Sequence, residues 1–193
     1  MAALSIAQAD TGWMNSYAYT FNGIGDTYYD LNASDQASNF NGADLGIYNS
    51  TATLFLNAQI NAWADGGDSY TDLSLWYRIG PTGNVTGSFT QVSAASIFSI
   101  GGNDFRGIAS GVNLLDVPSL GIYDVQAYLS RSHVWPGGGP FTAYMDTAGT
   151  NFNVPTGNFF TATYEVIPEP STFAMLALMA GGLGMSRRRR KQS

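Results

Sequence analysis

From Thr51 to Trp63 apolar residues fall on the even positions, Ala52, Leu54, Leu56, Ala58, Ile60 and Ala62, while the odd positions are polar except Phe55 and Trp63. A period of two sends alternate side chains to opposite faces of an extended chain, so this pattern predicts a long strand with one buried face. Asp72 to Ile79 repeats it, with Leu73, Leu75, Tyr77 and Ile79 on one side and Asp72, Ser74, Trp76 and Arg78 on the other. Tyr123, Val125, Ala127 and Leu129 form a third row, and Phe160, Ala162, Tyr164 and Val166 a fourth. Weaker alternation predicts strands at 16–21, 88–92, 96–100, 105–108 and 141–145.

Turn-forming residues separate these runs: Asp65-Gly66-Gly67-Asp68, Gly80-Pro81-Thr82-Gly83-Asn84, Gly101-Gly102-Asn103-Asp104 and Pro136-Gly137-Gly138-Gly139-Pro140. They supply the backbone angles that tight reversals need. No segment between Asp10 and Ile167 sustains helical periodicity. Many short strands with turns between them predict an all-β fold, an antiparallel two-sheet sandwich with jelly-roll-like connections, spanning residues 10–167. Residues 1–9, MAALSIAQA, end in the small-x-small pattern Ala7-Gln8-Ala9 that signal peptidase cuts, and read as the remnant of a secretory signal peptide.

Composition narrows the chemistry. The chain has no cysteine and one histidine, His133, which excludes disulfide scaffolds, zinc-cysteine sites and thiol nucleophiles, and leaves no partner for a two-histidine metal site. Only 11% of residues are charged, against roughly 25% in ordinary soluble proteins. From Asp10 to Ile167 there are 13 acidic residues against Arg78, Arg106 and Arg131, a net charge of -10. Such a surface argues against nucleic acid as a partner. The overall value of -6 averages this part with a basic one.

That basic part is the last segment. Val166-Ile167 leads into Pro168-Glu169-Pro170, Ser171-Thr172, the uncharged run FAMLALMAGGLGM, Ser186, and then Arg187, Arg188, Arg189, Arg190 and Lys191. The prolines end the preceding strand and set an extended linker. In lipid the apolar run satisfies its backbone only as a helix, which predicts one transmembrane helix at about 171–186. Sixteen residues at helical rise cover about 24 Å, short of the ~30 Å hydrocarbon core. Snorkelling arginines and local bilayer thinning close that gap. The basic cluster is expected to stay cytoplasmic, which puts the acidic part on the other side of the membrane.

The order of these parts resembles the PEP-CTERM sorting signal of bacterial exported proteins, over residues 168–193. The resemblance implies recognition by an exosortase, an integral-membrane enzyme proposed to be a transpeptidase, with processing near Pro168-Glu169-Pro170. The helix is then a temporary anchor. A looser similarity joins residues 43–133 to β-rich modules on exported bacterial proteins, carried by Trp76-Tyr77-Arg78-Ile79, Gly87-Ser88-Phe89-Thr90-Gln91-Val92, Asn113-Leu114-Leu115 and Gly121-Ile122-Tyr123-Asp124-Val125.

Within 10–167 the candidate chemistry is sparse. Asp65, Asp68 and Asp72 offer hard oxygen ligands of the kind calcium takes, but their spacing departs from the EF-hand loop, and a solvated acidic hairpin is the simpler reading. In Gly107-Ile108-Ala109-Ser110-Gly111 the serine stands one place too late for a nucleophile elbow. The two glutamates, Glu165 and Glu169, flank the exit toward the tail, and His133 reads as a loop or packing residue. No catalytic, cofactor-binding or metal-binding residue is therefore expected, and the chain is not expected to be an enzyme. Trp63, Trp76, Tyr77 and Trp135 are candidates for an aromatic surface that stacks on sugars. The expectation is an exported envelope or extracellular-matrix (biofilm) protein with a structural or adhesive body. The competing expectation is a secreted carbohydrate-binding or carbohydrate-active protein, and exopolysaccharide is a candidate partner in both cases.

Overall fold

The computed structural model describes residues 11–31, 38–65, 68–117, 119–134, 140–151 and 155–169. Its strands in chain order are β1 (Thr11–Trp13), β2 (Tyr17–Phe21), β3 (Asp26–Asp30), β4 (Ser38–Asn39), β5 (Asp44–Asn49), β6 (Phe55–Ala64), β7 (Ser69–Pro81), β8 (Thr90–Ser93), β9 (Ile97–Gly101), β10 (Asp104–Asn113), β11 (Gly121–Val134), β12 (Pro140–Asp146), β13 (Gly149–Asn151) and β14 (Phe160–Ile167). Among the described residues there is no helix. The segments expected to form the signal remnant (1–9), the transmembrane helix and the basic tail lie outside the described residues.

Each sheet is organised by long strands that several shorter ones share. In the first, ordered β4-β3-β2-β6-β10-β9, β10 covers one edge of β6. The other edge is divided between β2, opposite Phe55 to Gln59, and β1, opposite Ala62 to Ala64. In the second sheet β7 runs along one edge of β11. β14 and β12 divide the other edge, at Gly121 to Ala127 and Leu129 to Val134 respectively. β5, β13 and β8 complete this sheet beside β14, β12 and β7.

The four strong rows become β6, β7, β11 and β14 with the expected faces inward. Leu56, Ala58, Ile60 and Ala62 of the first sheet meet Leu73, Leu75, Val125, Leu129, Ala162 and Tyr164 of the second in one buried cluster. At Gly107 a Cβ would stand 2.8 Å from that of Ala94 and 3.1 Å from Leu73. The missing side chain is what lets β10 lie close against the second sheet.

The expectation of a purely antiparallel arrangement is corrected. β5 runs parallel to β14, and β4 parallel to β3, so both sheets are mixed. A parallel neighbour cannot come from a two-residue hairpin; the chain must cross over before it pairs. Here Asp44–Asn49 reaches across the sequence to Thr163–Ile167. The local pattern of β5 gave no warning of this, because Gly46, at φ +106°, interrupts its alternation where the ladder slips register.

Candidate functional site

β14 delivers the chain into the sorting motif. Its inward residues Phe160, Ala162, Tyr164 and Val166 are buried, and Thr163 donates through its hydroxyl to Asp124 Oδ1 at 2.8 Å, tying β14 to the first part of β11. The last rung is the amide of Ser50 donating to the carbonyl of Ile167 at 3.2 Å. Pro168 follows at once. Having no N–H, it cannot extend the ladder, so the strand ends where the motif begins. Pro168 and Glu169 are half-buried. Pro170 and the cluster Arg187, Arg188, Arg189, Arg190 and Lys191 fall outside the described residues.

The other singled-out residues do not converge. Asp72 Oδ2 accepts from the hydroxyl of Ser74 at 2.6 Å and from Gln91 Nε2 at 3.2 Å. Asp65 accepts from the side-chain amide of Asn103. Asp68 is buried, and among the described residues neither of its carboxylate oxygens has a hydrogen-bond partner. Among the described residues no three His, Asp or Glu side chains are grouped to hold a metal. The aromatics separate too. Trp63 sits in β6, while Trp76, in the other sheet, stacks on Tyr128 at 5.7 Å and donates to the Ser130 hydroxyl at 2.8 Å. Tyr77 packs against the core, and Trp135 lies outside the described residues.

What the sequence did not single out is a buried polar cluster at one end of the sheets. β11 continues past Leu129, and its core-facing positions there are Arg131, only 1% exposed, and His133. A bulge between Ser132 and His133 shifts the register of β7, which turns Tyr70 toward the same core as Leu73. Arg131 donates from Nη1 to the Tyr70 hydroxyl at 2.9 Å and from Nη2 to the Thr11 carbonyl at 3.1 Å, with its guanidinium 5.1 Å from the Trp13 ring centre. The Tyr70 hydroxyl in turn donates to the Trp63 carbonyl at 2.7 Å.

Burial shapes the titration of this cluster. It lowers the Arg131 pKa, opposed by the Tyr70 hydroxyl, and raises that of Tyr70 against the pull of Arg131. Burial also lowers the pKa of His133, assisted by the positive charge of Arg131 and opposed by the Asp68 carboxylate. The His133 ring lies between those of Tyr70, at 5.9 Å, and Phe141, at 5.4 Å. His133 is thus a packing residue, buried in a strand and not in a loop. The available signal was parity, since Arg131 and His133 continue the inward register of Tyr123 to Leu129.

Among known proteins, no curated sequence and no solved structure matches this chain. One family model does: that of the PEP-CTERM protein-sorting motif, over residues 166–191, which begins inside β14 and takes in the basic cluster. The motif implies recognition by an exosortase, a membrane protein, and export as a membrane-anchored precursor. From the last two residues of its final described strand through Lys191, this chain therefore carries a PEP-CTERM sorting signal.

Proposed function

We propose that the β-fold of residues 10–167 is the cargo of this signal: a structural or adhesive component of the cell envelope or extracellular polymer, released when exosortase processes the chain near Pro168-Glu169-Pro170. The observation that carries the reading is the junction itself. β14 stays paired through Ile167, and the motif begins at the next residue. Five extended residues from Pro168 to Thr172 reach at most about 17 Å. In the precursor the fold is thus held beside the membrane, where a membrane-embedded enzyme can reach the motif. The charge division supports the same reading, with -10 in the exported part and five consecutive basic residues in the tail.

A non-enzymatic body fits the residues that surround its one histidine, which packs between aromatic rings beside a buried arginine. The test is replacement of Pro168, Glu169 and Pro170 together by alanine in a host that has an exosortase. The altered chain is expected to accumulate in the membrane fraction with its basic tail intact. Release and trimming at the normal level would overturn the proposal.

A further inference from the structure

The outward face of the first sheet gathers a large share of the molecule's exposed apolar side chains. Phe21 and Tyr28 lie at one end, and Phe98, Ile100 and Ile108 at the other, all between 38% and 45% exposed. Between them the register lays out polar residues. Tyr17 stands opposite Gln59, Gln59 opposite Ile108, and Asn61 opposite Arg106, which in turn faces Phe98. Tyr19 and Tyr28 stack at 5.1 Å, and Tyr17 meets Tyr28 edge-on at 6.3 Å.

Where β1 gives way to β2, the edge of β6 is met by an irregular segment in place of a strand. Over Met14 to Ser16 the chain leaves the ladder and clamps onto Asn61: the Met14 amide donates to its carbonyl at 3.0 Å, and its own amide donates to the Ser16 hydroxyl at 3.0 Å. The Asn61 side chain donates to the Asn15 carbonyl and accepts from Arg106 Nε at 2.9 Å. The result is an open groove of about 520 Å³ lined by Met14, Asn15, Tyr17 and Gln59 and closed by Asn61, Ile100 and Arg106.

Arg106 gives this groove its chemistry. Of the three arginines in residues 10–167, Arg131 is buried on Tyr70, and Arg78 lies over Phe89 and Phe159, bonded to Gln126 and the Gly87 carbonyl. Arg106 is fixed through Nε, and its two terminal nitrogens make no hydrogen bond to any described residue. A guanidinium held this way offers a planar fork to a pair of oxygen acceptors. An amide beside it and an aromatic and aliphatic lining complete a surface of mixed apolar and polar character. A pyranose ring has the matching character, with C–H faces and hydroxyl edges. The groove is open rather than enclosed, which suits a polymer lying across it better than a small ligand that must be surrounded. Nucleic acid is opposed by the net charge of -10 and by Asp104, two residues from Arg106 on the same strand.

We infer that this groove binds an extended glycan, with a ring against Tyr17 and two neighbouring oxygens, hydroxyls or a carboxylate, on the Arg106 fork. The inference gives the adhesive reading above its ligand class, and rests on that reading only for its biological setting. Binding is measured by titration calorimetry on the full chain, held in a detergent without a sugar headgroup. The probes are a neutral β-glucan hexasaccharide, a uronate hexasaccharide and a tripeptide with a free carboxyl terminus. Arg106→Ala is expected to weaken hexasaccharide binding at least about tenfold, the cost of losing a charge-assisted pair. Ile100→Glu places a competing carboxylate beside the fork from an exposed edge-strand position, leaves the Arg106–Asn61 bond in place, and is expected to weaken binding comparably. Any uronate held by the basic tail is common to all variants, so the difference between variants is the readout. The neutral and uronate probes distinguish which pair of oxygens the fork takes. The inference fails if neither hexasaccharide binds, if both variants with unchanged melting bind as the parent does, or if the tripeptide binds as tightly as the sugars. Processing by exosortase is read separately by mass, so failure here leaves the sorting reading standing.

Discussion

Three arginines in an acidic fold meet three different fates: parity sends Arg131 inward and Arg78 and Arg106 outward, and their neighbours separate the last two. Arg131 shares the inward register of Leu129 and must enter the core, where its two terminal nitrogens donate to the hydroxyl of Tyr70 and the carbonyl of Thr11. Tyr70→Phe keeps the ring but leaves both Arg131 Nη1 and the Trp63 carbonyl without that hydroxyl. The expected cost is about 1–3 kcal/mol, measured as a shift in the denaturation midpoint. His133 gives a sign for acid sensitivity. Its pKa is lower in the fold than the ordinary 6.5, so below that value the unfolded chain takes up the proton more readily. Stability is full above pH 6.5 and is expected to fall as pH drops below it. The charges facing the ring are Arg131 and Asp68. Carboxylates that titrate at lower pH are common to both chains, so melting followed from pH 7.5 to pH 5.5, roughly one unit to either side of that ordinary value, isolates the histidine. His133→Phe is expected to flatten this part of the profile; an unchanged slope would remove His133 as its cause.

At the scale of elements, the strands that could be read were those buried on one face with uninterrupted alternation. Phe160–Ile167 is the clearest, its inward positions Phe160, Ala162, Tyr164 and Val166 all buried as the pattern required. The expected strand 105–108 was too short: β10 runs to Asn113, past a register slip between Ala109 and Val112 where Gly111, at φ +96°, donates to Asn57 Oδ1 at 2.9 Å. Alternation cannot be followed through a bulge, because the extra residue inverts the faces beyond it. β3 escaped notice because Asp26-Thr27-Tyr28-Tyr29-Asp30 places tyrosines on both faces, and β1 and β4 are too short to show any period. The parallel pairing of β5 is a long-range fact that no local pattern contains. The close approach of the sheets at Gly107 yields an element-scale expectation. Gly107→Val adds atoms where even a Cβ stands 2.8 Å from Ala94, and is expected to cost about 1–3 kcal/mol by overpacking. Gly25→Val, where a Cβ would meet nothing within 4 Å and φ is not positive, controls for backbone entropy.

For the whole molecule, charge and topology divide the chain at the same place. The fold holds 13 of the 14 acidic residues, and the remaining one, Glu169, belongs to the motif. The sorting signal was legible in the sequence because its parts are contiguous: two prolines, an apolar run and a basic block need no tertiary partner to be recognised. The groove beside Arg106 was not, because β2, β6, β9 and β10 bring its walls together from residues as far apart as Met14 and Arg106. Removal of the tail strips all five basic residues that follow the fold, leaving a product near -10. That product is expected to bind an anion exchanger more tightly than the precursor does. The most direct measurement is the intact mass of the mature protein from a host with an exosortase. The expected result is a chain that retains β14 and has lost everything beyond the neighbourhood of Pro168-Glu169-Pro170, Arg187 to Lys191 included. A mature protein that still carries those residues would contradict the sorting account.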